Sequence, residues 1–489
     1  MPPPSRTPTP PRAARILSLC LLAPTLLYAR PGGGGSFHSG GSGGHGFSAG
    51  VHGHAGIGHG GPLGLGDSAV SGRQILFFIG LLAAYLLFRL LAGWVFRAGA
   101  RALGVRAGAA PGRPGPQFPQ GVPPAPGLQG LHSLRQQDPG LTEEGITRRA
   151  LRMAEILREA WCAGDMRPAR SFVSDGVFCR FTTQLAMMRA RGERNAMGDA
   201  RIVAIASVGA ELAPPLEVLH LRVDGQARDC TVPLDASAEQ VARALHAVPV
   251  APYTEIWSLV RRQGVQTRSG AAPVGQACPS CGAPLGNGEV IQCQYCHALV
   301  NSGEYDWVLA KITQPAVWHP VAAERIPGFA ALRGADPGLA AAALEDRASF
   351  LFWKWIEACA QGSPAPMRKC AIAGFLAAMP AAPALLDVAV GGVDLLACGP
   401  AGEHRGMDAV TVKVTWSGAS GPGAESLPRV QLIAMARQAG VMSSPASSAL
   451  LCPECGAALG ASDSDRCDHC HAQVATGAHA WVLAGVVAG

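Results

Sequence analysis

The stretch Cys278–Cys296 reads Cys-Pro-Ser-Cys, eleven further residues, then Cys-Gln-Tyr-Cys, and the arrangement returns at Cys452–Cys470 as Cys-Pro-Glu-Cys and Cys-Asp-His-Cys. Aligned over 278–310 and 452–484, seventeen of thirty-three positions are identical. Four thiolates presented on two tight turns suit zinc, which prefers sulfur ligands in a tetrahedron. The pattern predicts a duplicated zinc ribbon. We expect two structural zinc ions, held by Cys278, Cys281, Cys293, Cys296, Cys452, Cys455, Cys467 and Cys470.

Other chemistries for these cysteines are less consistent with the spacing. A lone C-x-x-C pair is also typical of a redox dithiol, but two pairs at ribbon spacing favour a metal. A catalytic zinc needs an open ligand position, and four cysteines already fill the shell. His297 and His471 could replace a cysteine, although a surface or supporting position suits them better. Neither ribbon is basic, so a phosphate-binding surface for nucleic acid is not expected.

Composition indicates a multidomain protein with modest net charge. The chain has 489 residues, with 40 Lys and Arg against 34 Asp and Glu, which gives a formal charge of +6. This length predicts two or more domains with true apolar cores. Seven cysteines fall outside the ribbons without framework spacing, and we expect buried free thiols in a reducing compartment. These are Cys20, Cys162, Cys179, Cys230, Cys359, Cys370 and Cys398.

The N-terminal segment has the layout of a targeting sequence. Within residues 1–30, three arginines precede an apolar run from Ile16 to Ala29, as in a secretory signal peptide. An organellar transit peptide remains an alternative because no acidic residue precedes Asp67. Residues 31–73 are rich in Gly and His, and we expect disorder there because such a segment cannot bury enough apolar surface to fold.

Residues 74–96 are predicted to form a transmembrane helix, because about 20 apolar residues suffice to cross a bilayer. Arginines are more frequent after this segment than before it, so the positive-inside rule places the C-terminal side in the cytoplasm. Residues 97–137 follow as a linker rich in Pro and Gly, which is expected to hold the folded part away from the membrane.

The first folded domain is assigned to 138–270. Thr142 suits a helix N-cap and Gly164 a stop, and a second helix is expected from Ser174 or Asp175 to Gly192. The pattern then alternates over 202–212, 216–223 and 253–260, which is typical of strands. Two helices followed by an antiparallel sheet predict an α+β fold, with the helices covering one face of the sheet.

This domain resembles the Tim-forty-four-like family, whose namesake is the mitochondrial inner-membrane subunit that anchors the import motor. The resemblance covers about 138–315. It is carried by Glu159-Ala-Trp161, Ser174-Asp-Gly-Val177, Gln184-Leu185, Gly192-Glu-Arg-Asn195, Glu255-Ile-Trp257, Arg261-Arg262-Gln-Gly264 and the run Ser302–Leu309. It implies a cone-shaped domain like nuclear transport factor two. Bacterial members are similar to the whole layout, which implies the inner membrane, with the folded domains in the cytoplasm.

A second, degenerate copy of the domain is predicted at 335–440. Helices are expected at 340–359 and 366–378, and strands at 385–398, 407–416 and 427–436. The two ribbons are assigned to 271–315 and 448–489, so each domain is followed by one. The Gly-Glu-Arg-Asn landmark of the first copy is absent from the second.

Three classes of function are compatible with these features. The resemblance implies a membrane-anchored, non-catalytic scaffold that contacts a polypeptide client or translocation machinery. The second class is an isomerase or dehydratase, since cone folds host such enzymes. That chemistry needs a positioned acid and base. His220 and Asp199 are candidates, but the sequence gives neither an evident partner.

The third class is docking to anionic lipid through clustered arginines. Each arginine near a membrane surface contributes about 1 kcal/mol. The candidates are Arg189, Arg191, Arg194, Arg201, Arg261 and Arg262. We favour the scaffold and predict that the chain is not an enzyme.

Overall fold

The computed structural model describes residue 125 and residues 128–212, 214–268, 274–285, 291–379, 385–400, 406–420, 426–444, 448–460 and 462–489. The predicted signal peptide (1–30), Gly-rich segment (31–73) and membrane helix (74–96) lie outside these residues, as does most of the linker (97–137). Among the described helices, none is long and apolar enough to span a bilayer.

The first copy begins with three helices. They are α1 (Leu131–Gln137), α2 (Glu143–Ala163) and α3 (Asp175–Ala190). The cap predicted for α2 is confirmed, because the Thr142 side chain accepts a hydrogen bond from Gly145 N, and Gly164 ends the helix in the left-handed region at φ 72°. Helix α1 lies in the predicted linker and buries Leu134, so the folded copy includes residues before Asp138.

A four-stranded antiparallel sheet completes the first copy, which confirms the α+β class. Its strands, in spatial order, are β1 (Glu193–Glu211), β2 (Leu216–Pro233), β3 (Ala251–Arg262) and β4 (Val308–Thr313). Helices α2 and α3 cover one face and bury Trp161 and Phe181 against Leu221 and Trp257. Strands β1 and β2 extend beyond their predicted ranges, and the inserted helix α4 (Ala238–Ala247) packs on their extended ends.

The fourth strand of this sheet is the exit of the first ribbon. Leu309 N donates to Phe172 O at 2.8 Å, and Ser174 N donates to Leu309 O at 3.0 Å. These bonds tie β4 to the segment that enters α3. The predicted ribbon at 271–315 is therefore not a separate appendage, because its last residues belong to the sheet of the domain.

The second copy repeats this order. Its elements are α5 (Phe329–Ala335), α6 (Ala341–Gln361), α7 (Ala373–Ala378), β5 (Leu386–Pro400), β6 (Met407–Ala419), β7 (Leu427–Gln438) and β8 (Val482–Ala488). The sheet order is β5-β6-β7-β8, and Leu483 bonds to Cys370 and Ile372 as Leu309 does to Phe172 and Ser174. Helix α7 has 6 residues where its counterpart α3 has 16.

The two copies share a buried interface formed by α3 and α6. Cys179 of α3 is buried in the core of the second copy, and Met187 packs against it. Gly176 allows the close approach, because a Cβ there would lie 2.4 Å from Asp346 Oδ1. Helix α6 buries four consecutive residues, Phe350 to Trp353. Such a run is typical of a helix that is surrounded rather than amphipathic.

The scattered cysteines that the structure describes are free thiols, most of them buried, as predicted. Cys179, Cys230, Cys359 and Cys370 are buried free thiols, and Cys162 and Cys398 are partly buried. Burial raises the pKa of Cys179 to about 12. Thiols held protonated in this way are poor nucleophiles and metal ligands.

Candidate metal centres and buried polar sites

The four cysteines of the first ribbon converge on one point. Cys278 Sγ lies 3.7 Å from Cys296 Sγ, and Cys281 Sγ lies 3.7 Å from Cys293 Sγ. All four sulfur atoms lie within 4.8 Å of one another. Zinc–sulfur bonds of about 2.3 Å in a tetrahedron place sulfur atoms about 3.8 Å apart, whereas a disulfide requires about 2.05 Å. The geometry therefore suits a bound metal ion.

Backbone hydrogen bonds shape each turn of this cluster. Gly282 N donates to Cys278 O at 2.8 Å, and His297 N donates to Cys293 O at 2.9 Å. Gly282 and His297 occupy the same place in their turns, and both have positive φ, 78° and 58°. His297 is thus the residue that completes a turn, and its imidazole is not among the converging ligand atoms.

The second ribbon has the same geometry. The Sγ atoms of Cys452 and Cys470 are 3.7 Å apart, and those of Cys455 and Cys467 are 3.8 Å apart. His471 has φ 60° and takes the position of His297. Backbone N–H groups of Cys470 and His469 lower the pKa of Cys467 to about 6, and the corresponding groups lower that of Cys293. Such hydrogen bonds favour the thiolate, the form that binds metal.

A buried arginine cluster that was not predicted from the sequence occurs in both copies. In the first copy Arg261 contacts Asp138 at 2.9 Å and Glu217 at 2.5 Å, and its guanidinium lies 4.3 Å from the Trp307 ring. Asp138 also accepts a hydrogen bond from Thr267 Oγ1 at 2.5 Å. These contacts join α1, the sheet and the exit of the ribbon.

The second copy has the same cluster with one carboxylate fewer. Arg437 contacts Asp336 at 2.9 Å and lies 4.5 Å from the Trp481 ring, while Ser443 takes the place of Thr267. The Asp-Pro-Gly-Leu sequence at 138–141 recurs at 336–339. That repeat was the signal that could have revealed the cluster.

The arginines proposed for lipid docking do not form one surface. Arg261 is 1% exposed and bound by two carboxylates, so its assignment to a headgroup-binding surface is wrong. Arg194 lies beside Val232, near the C-terminal end of β2, whereas Arg262 lies beside Leu216, at its N-terminal end. At about 3.3 Å per residue, these ends are about 50 Å apart along the strand.

The remaining docking candidates form hydrogen bonds or ion pairs within the protein. Arg189 is exposed and donates to Gly164 O at 3.0 Å. Arg191 contacts Glu193 at 2.8 Å and Asp387 at 3.1 Å, so it joins the two copies. Arg201 donates to Gln226 Oε1 at 3.3 Å.

His220 has partners that the sequence did not reveal. Its Nδ1 lies 2.9 Å from Ser258 Oγ, its Nε2 lies 2.9 Å from Glu211 Oε1, and its ring lies 5.6 Å from that of Trp318. His220 and Ser258 are each 3% exposed. A hydrolytic triad needs a serine that substrate can reach. Ser258 is therefore not placed to act as such a nucleophile. Asp199 is exposed and pairs with Arg228 at 2.8 Å.

Two carboxylates lie close together where α3 meets α6. Asp346 accepts from Ser174 Oγ at 2.5 Å and Gly176 N at 3.0 Å. Neighbouring Asp175 pairs with Arg170 and accepts from Ala449 N, at the entry of the second ribbon, at 2.6 Å. Burial and the charge of Asp175 raise the pKa of Asp346 from 3.8 to about 7.

We expect Asp346→Asn to stabilise the protein at pH 8. The Asp346 carboxyl has a higher pKa in the folded state than in the unfolded state. The folded protein therefore loses stability as pH rises from about 4 to about 7. Arg170 and Arg347 face this pair and offset only part of the repulsion. The variant should gain on the order of 2 kcal/mol over the parent at pH 8 and nothing at pH 4. Urea midpoints at both pH values measure this, and an equal gain at both would contradict it.

A cavity of about 730 Å³ lies between α2, the first sheet and the first ribbon. Its lining includes Leu141, Ile146, Phe172, Leu219, Leu259 and Trp307 from the domain, and Ala277, Cys278, Pro279 and Gly282 from the ribbon. This volume lies within the range of about 300–1,000 Å³ that is typical of ligand pockets.

Comparisons of the chain with protein-family models, with curated proteins and with solved structures each gave no match.

Proposed function

We propose that the chain is a membrane-anchored, non-catalytic binding scaffold related to the Tim-forty-four-like family. In this proposal residues 74–96 anchor it in a bacterial inner membrane, and two cone-shaped copies, each braced by a ribbon that holds zinc, lie in the cytoplasm. A polypeptide client, such as a component of the translocation machinery, is its partner.

One observation supports this proposal above the others. The buried polar groups hold parts of the fold together, whereas the cavity beside the first ribbon is open. The arginine clusters hold each ribbon to its sheet, and four thiols fill each candidate metal site. In the Ser258–His220–Glu211 network, Ser258 and His220 are each 3% exposed, so the hydroxyl is out of reach of a substrate. The cavity beside the first ribbon offers apolar surface without a nucleophile paired to a base among its described lining residues. Such a site favours binding over catalysis.

Photo-crosslinking from the cavity rim tests this function. A photoreactive residue at Arg148, on the rim, is compared with one at Arg158, on the same helix but outside the lining. In intact membranes, the Arg148 probe should capture a polypeptide that the Arg158 probe does not. Identical products from both positions, or extraction of the full chain by carbonate, would contradict the proposal.

A further inference from the structure

The outer edge of β5 is covered by side chains of α3. Gln184 Nε2 donates a hydrogen bond to Val388 O at 2.8 Å, and Arg180 Nη2 donates to Val390 O at 3.2 Å. All residues from 388 to 393 are buried. Backbone groups at a sheet edge need partners once they leave water, and in the second copy a helix of the first copy provides them.

Strand β1 is the counterpart of β5 and has the same irregular edge. Each strand contains three β-bulges at the same spacing, and each has one aspartate with positive φ, Asp199 at 49° and Asp387 at 51°. Aligning these two aspartates places Ala200 and Ile202 of β1 at the positions of the two acceptors of β5. The first copy therefore has the same backbone acceptors on its own edge.

The edge of β1 is exposed where that of β5 is covered. Residues 199–204 are all partly or fully exposed, and the exposed fraction of Val203 is 46%. Within the ranges that the structure describes, no helix or loop donates a hydrogen bond to Ala200 O, Ile202 O or Val203 O. These acceptors are therefore available to a partner.

The first turns of α3 also fill a groove of the second copy, between α6 and the entry of the second ribbon. Cys179 Sγ donates to Phe350 O of α6 at 3.9 Å, and Asp175 accepts a hydrogen bond from Ala449 N of the ribbon entry at 2.6 Å. One helix therefore covers both the groove and the edge of β5.

The corresponding groove of the first copy is a smaller cavity of about 320 Å³. Arg152 and Ile156 of α2 line it on one side, and Gly275 lines it on the other. Arg152 is the tenth residue of α2, as Phe350 is of α6. Gly275 precedes the first ribbon cysteine by three positions, as Ala449 does in the second ribbon. The cavity thus lies where the second copy receives the first turns of α3.

The bulges of β1 favour a helix over an added strand as the partner. A β-bulge breaks the regular spacing of backbone groups along an edge, which blocks continuous pairing with another strand. Long side chains on a helix reach such irregular acceptors, as Arg180 and Gln184 do on β5. These two residues are four positions apart and so lie on one face of α3. Gly176, in the first turn, lets the helix approach closely.

The chain does not supply a second helix of this kind among its described residues. Helix α3 already packs on the second copy, where Cys179 is buried in the core. Its counterpart α7 has the sequence Ala-Gly-Phe-Leu-Ala-Ala, which contains no side-chain donor. The partner of the first copy is therefore a helix of another polypeptide.

We propose that the open face of the first copy docks a helix of a partner polypeptide. This face consists of the β1 edge at 199–204 and the cavity between α2 and the entry of the first ribbon. The helix has a small residue in its first turn and two long donors, from Arg, Lys or Gln, four positions apart. The donors bond to Ala200 O and Ile202 O. This inference rests on the binding function proposed above and specifies how the client is recognised.

A labelled peptide with the sequence of residues 173–191, which includes α3, is the probe for the purified full chain. It should bind, and a photoreactive residue in place of Val203 should cross-link to it. The same residue in place of Val487, an exposed valine on β8, should not. A peptide carrying Arg180→Met and Gln184→Met should bind at least about tenfold more weakly, because two hydrogen bonds are lost. Equal affinities of the two peptides, or equal labelling from both valine positions, would overturn the proposal.

A gain of affinity tests the alignment of the two grooves. Arg148 is the sixth residue of α2, where α6 has Asp346, which accepts hydrogen bonds from Ser174 and Gly176 in the first turn of α3. Arg148→Asp should therefore tighten binding of the parent peptide about tenfold, because it restores a charged acceptor. Arg158→Asp, on the same helix but outside the cavity, should leave the affinity unchanged. An equal effect of both variants would contradict the alignment.

Crosslinking in intact membranes separates this inference from the function on which it rests. The Val203 probe should label the same polypeptide as the Arg148 probe, within a helix that has paired donors. Labelling of lipid, or of the chain's own residues, from Val203 would refute a helical partner. If the Arg148 probe captures a polypeptide that the Val203 probe does not, the scaffold function stands and docking of a helix on this face fails.

Discussion

Two zinc ions per chain are expected in protein purified without chelator, and replacing any one of the eight ribbon cysteines by serine should reduce this to one. The sulfur spacings of 3.7–3.8 Å suit a tetrahedral ion, and a lost thiolate opens the shell. Structural zinc contributes on the order of 10 kcal/mol or more to the folding of small metal-binding units. The expected loss of folding free energy is therefore larger than that for a buried ion pair.

Elemental analysis by mass spectrometry checks this stoichiometry. Cys296→Ser is compared with Cys162→Ser, which removes a partly buried thiol outside both clusters. The control should retain two ions. Because Trp307 follows directly from the first ribbon into β4, loss of its metal should also shift tryptophan emission. Protein that contains no metal and has disulfides between the ribbon cysteines would contradict this prediction.

Asp336→Ala is expected to lower the free energy of unfolding by about 3–5 kcal/mol, because it leaves the buried Arg437 guanidinium without a counter-charge. Burial raises the pKa of Asp336, but hydrogen bonds from Ser443 and Arg437 outweigh this and hold the pKa below its usual value. The carboxylate is therefore ionised at neutral pH, and its loss removes a true ion pair.

The first copy supplies the matched control. Asp138→Ala should cost less than Asp336→Ala, because Glu217 remains beside Arg261 at 2.5 Å. Urea unfolding of both variants and the parent, followed by circular dichroism, measures the difference. Equal losses in the two variants would show that Glu217 does not compensate. A loss below 1 kcal/mol for Asp336→Ala would contradict the buried pair.

Local features of the sequence predicted much of this fold. Thr142 and Gly164 marked the ends of α2, and the alternation around His220 marked β2, because caps and strand periodicity are encoded in neighbouring residues. The cysteine spacing located both four-sulfur clusters for the same reason. Helix α4 was missed, although Ser237 and Gln240 form a capping box at its start.

Long-range pairing could not be predicted from a single sequence. Asp138 and Arg261 are 123 residues apart, and only the folded chain brings them together. The same holds for Glu211, His220 and Ser258, which lie on three neighbouring strands. Arg261 looked like surface charge in the sequence because burial of an arginine depends on partners that the local pattern does not show.

Cys179 and Met187 of helix α3 pack in the hydrophobic core of the second copy. The counterpart helix α7 has 6 residues instead of 16, so it is too short to pack against the first copy in the same way. The two copies are therefore not equivalent, because the first contributes side chains to the core of the second. Cutting the chain between the copies would remove α3 from the part of α6 around Phe350, whose backbone oxygen accepts a hydrogen bond from Cys179 Sγ at 3.9 Å. The second copy on its own should therefore be less stable than it is in the full chain.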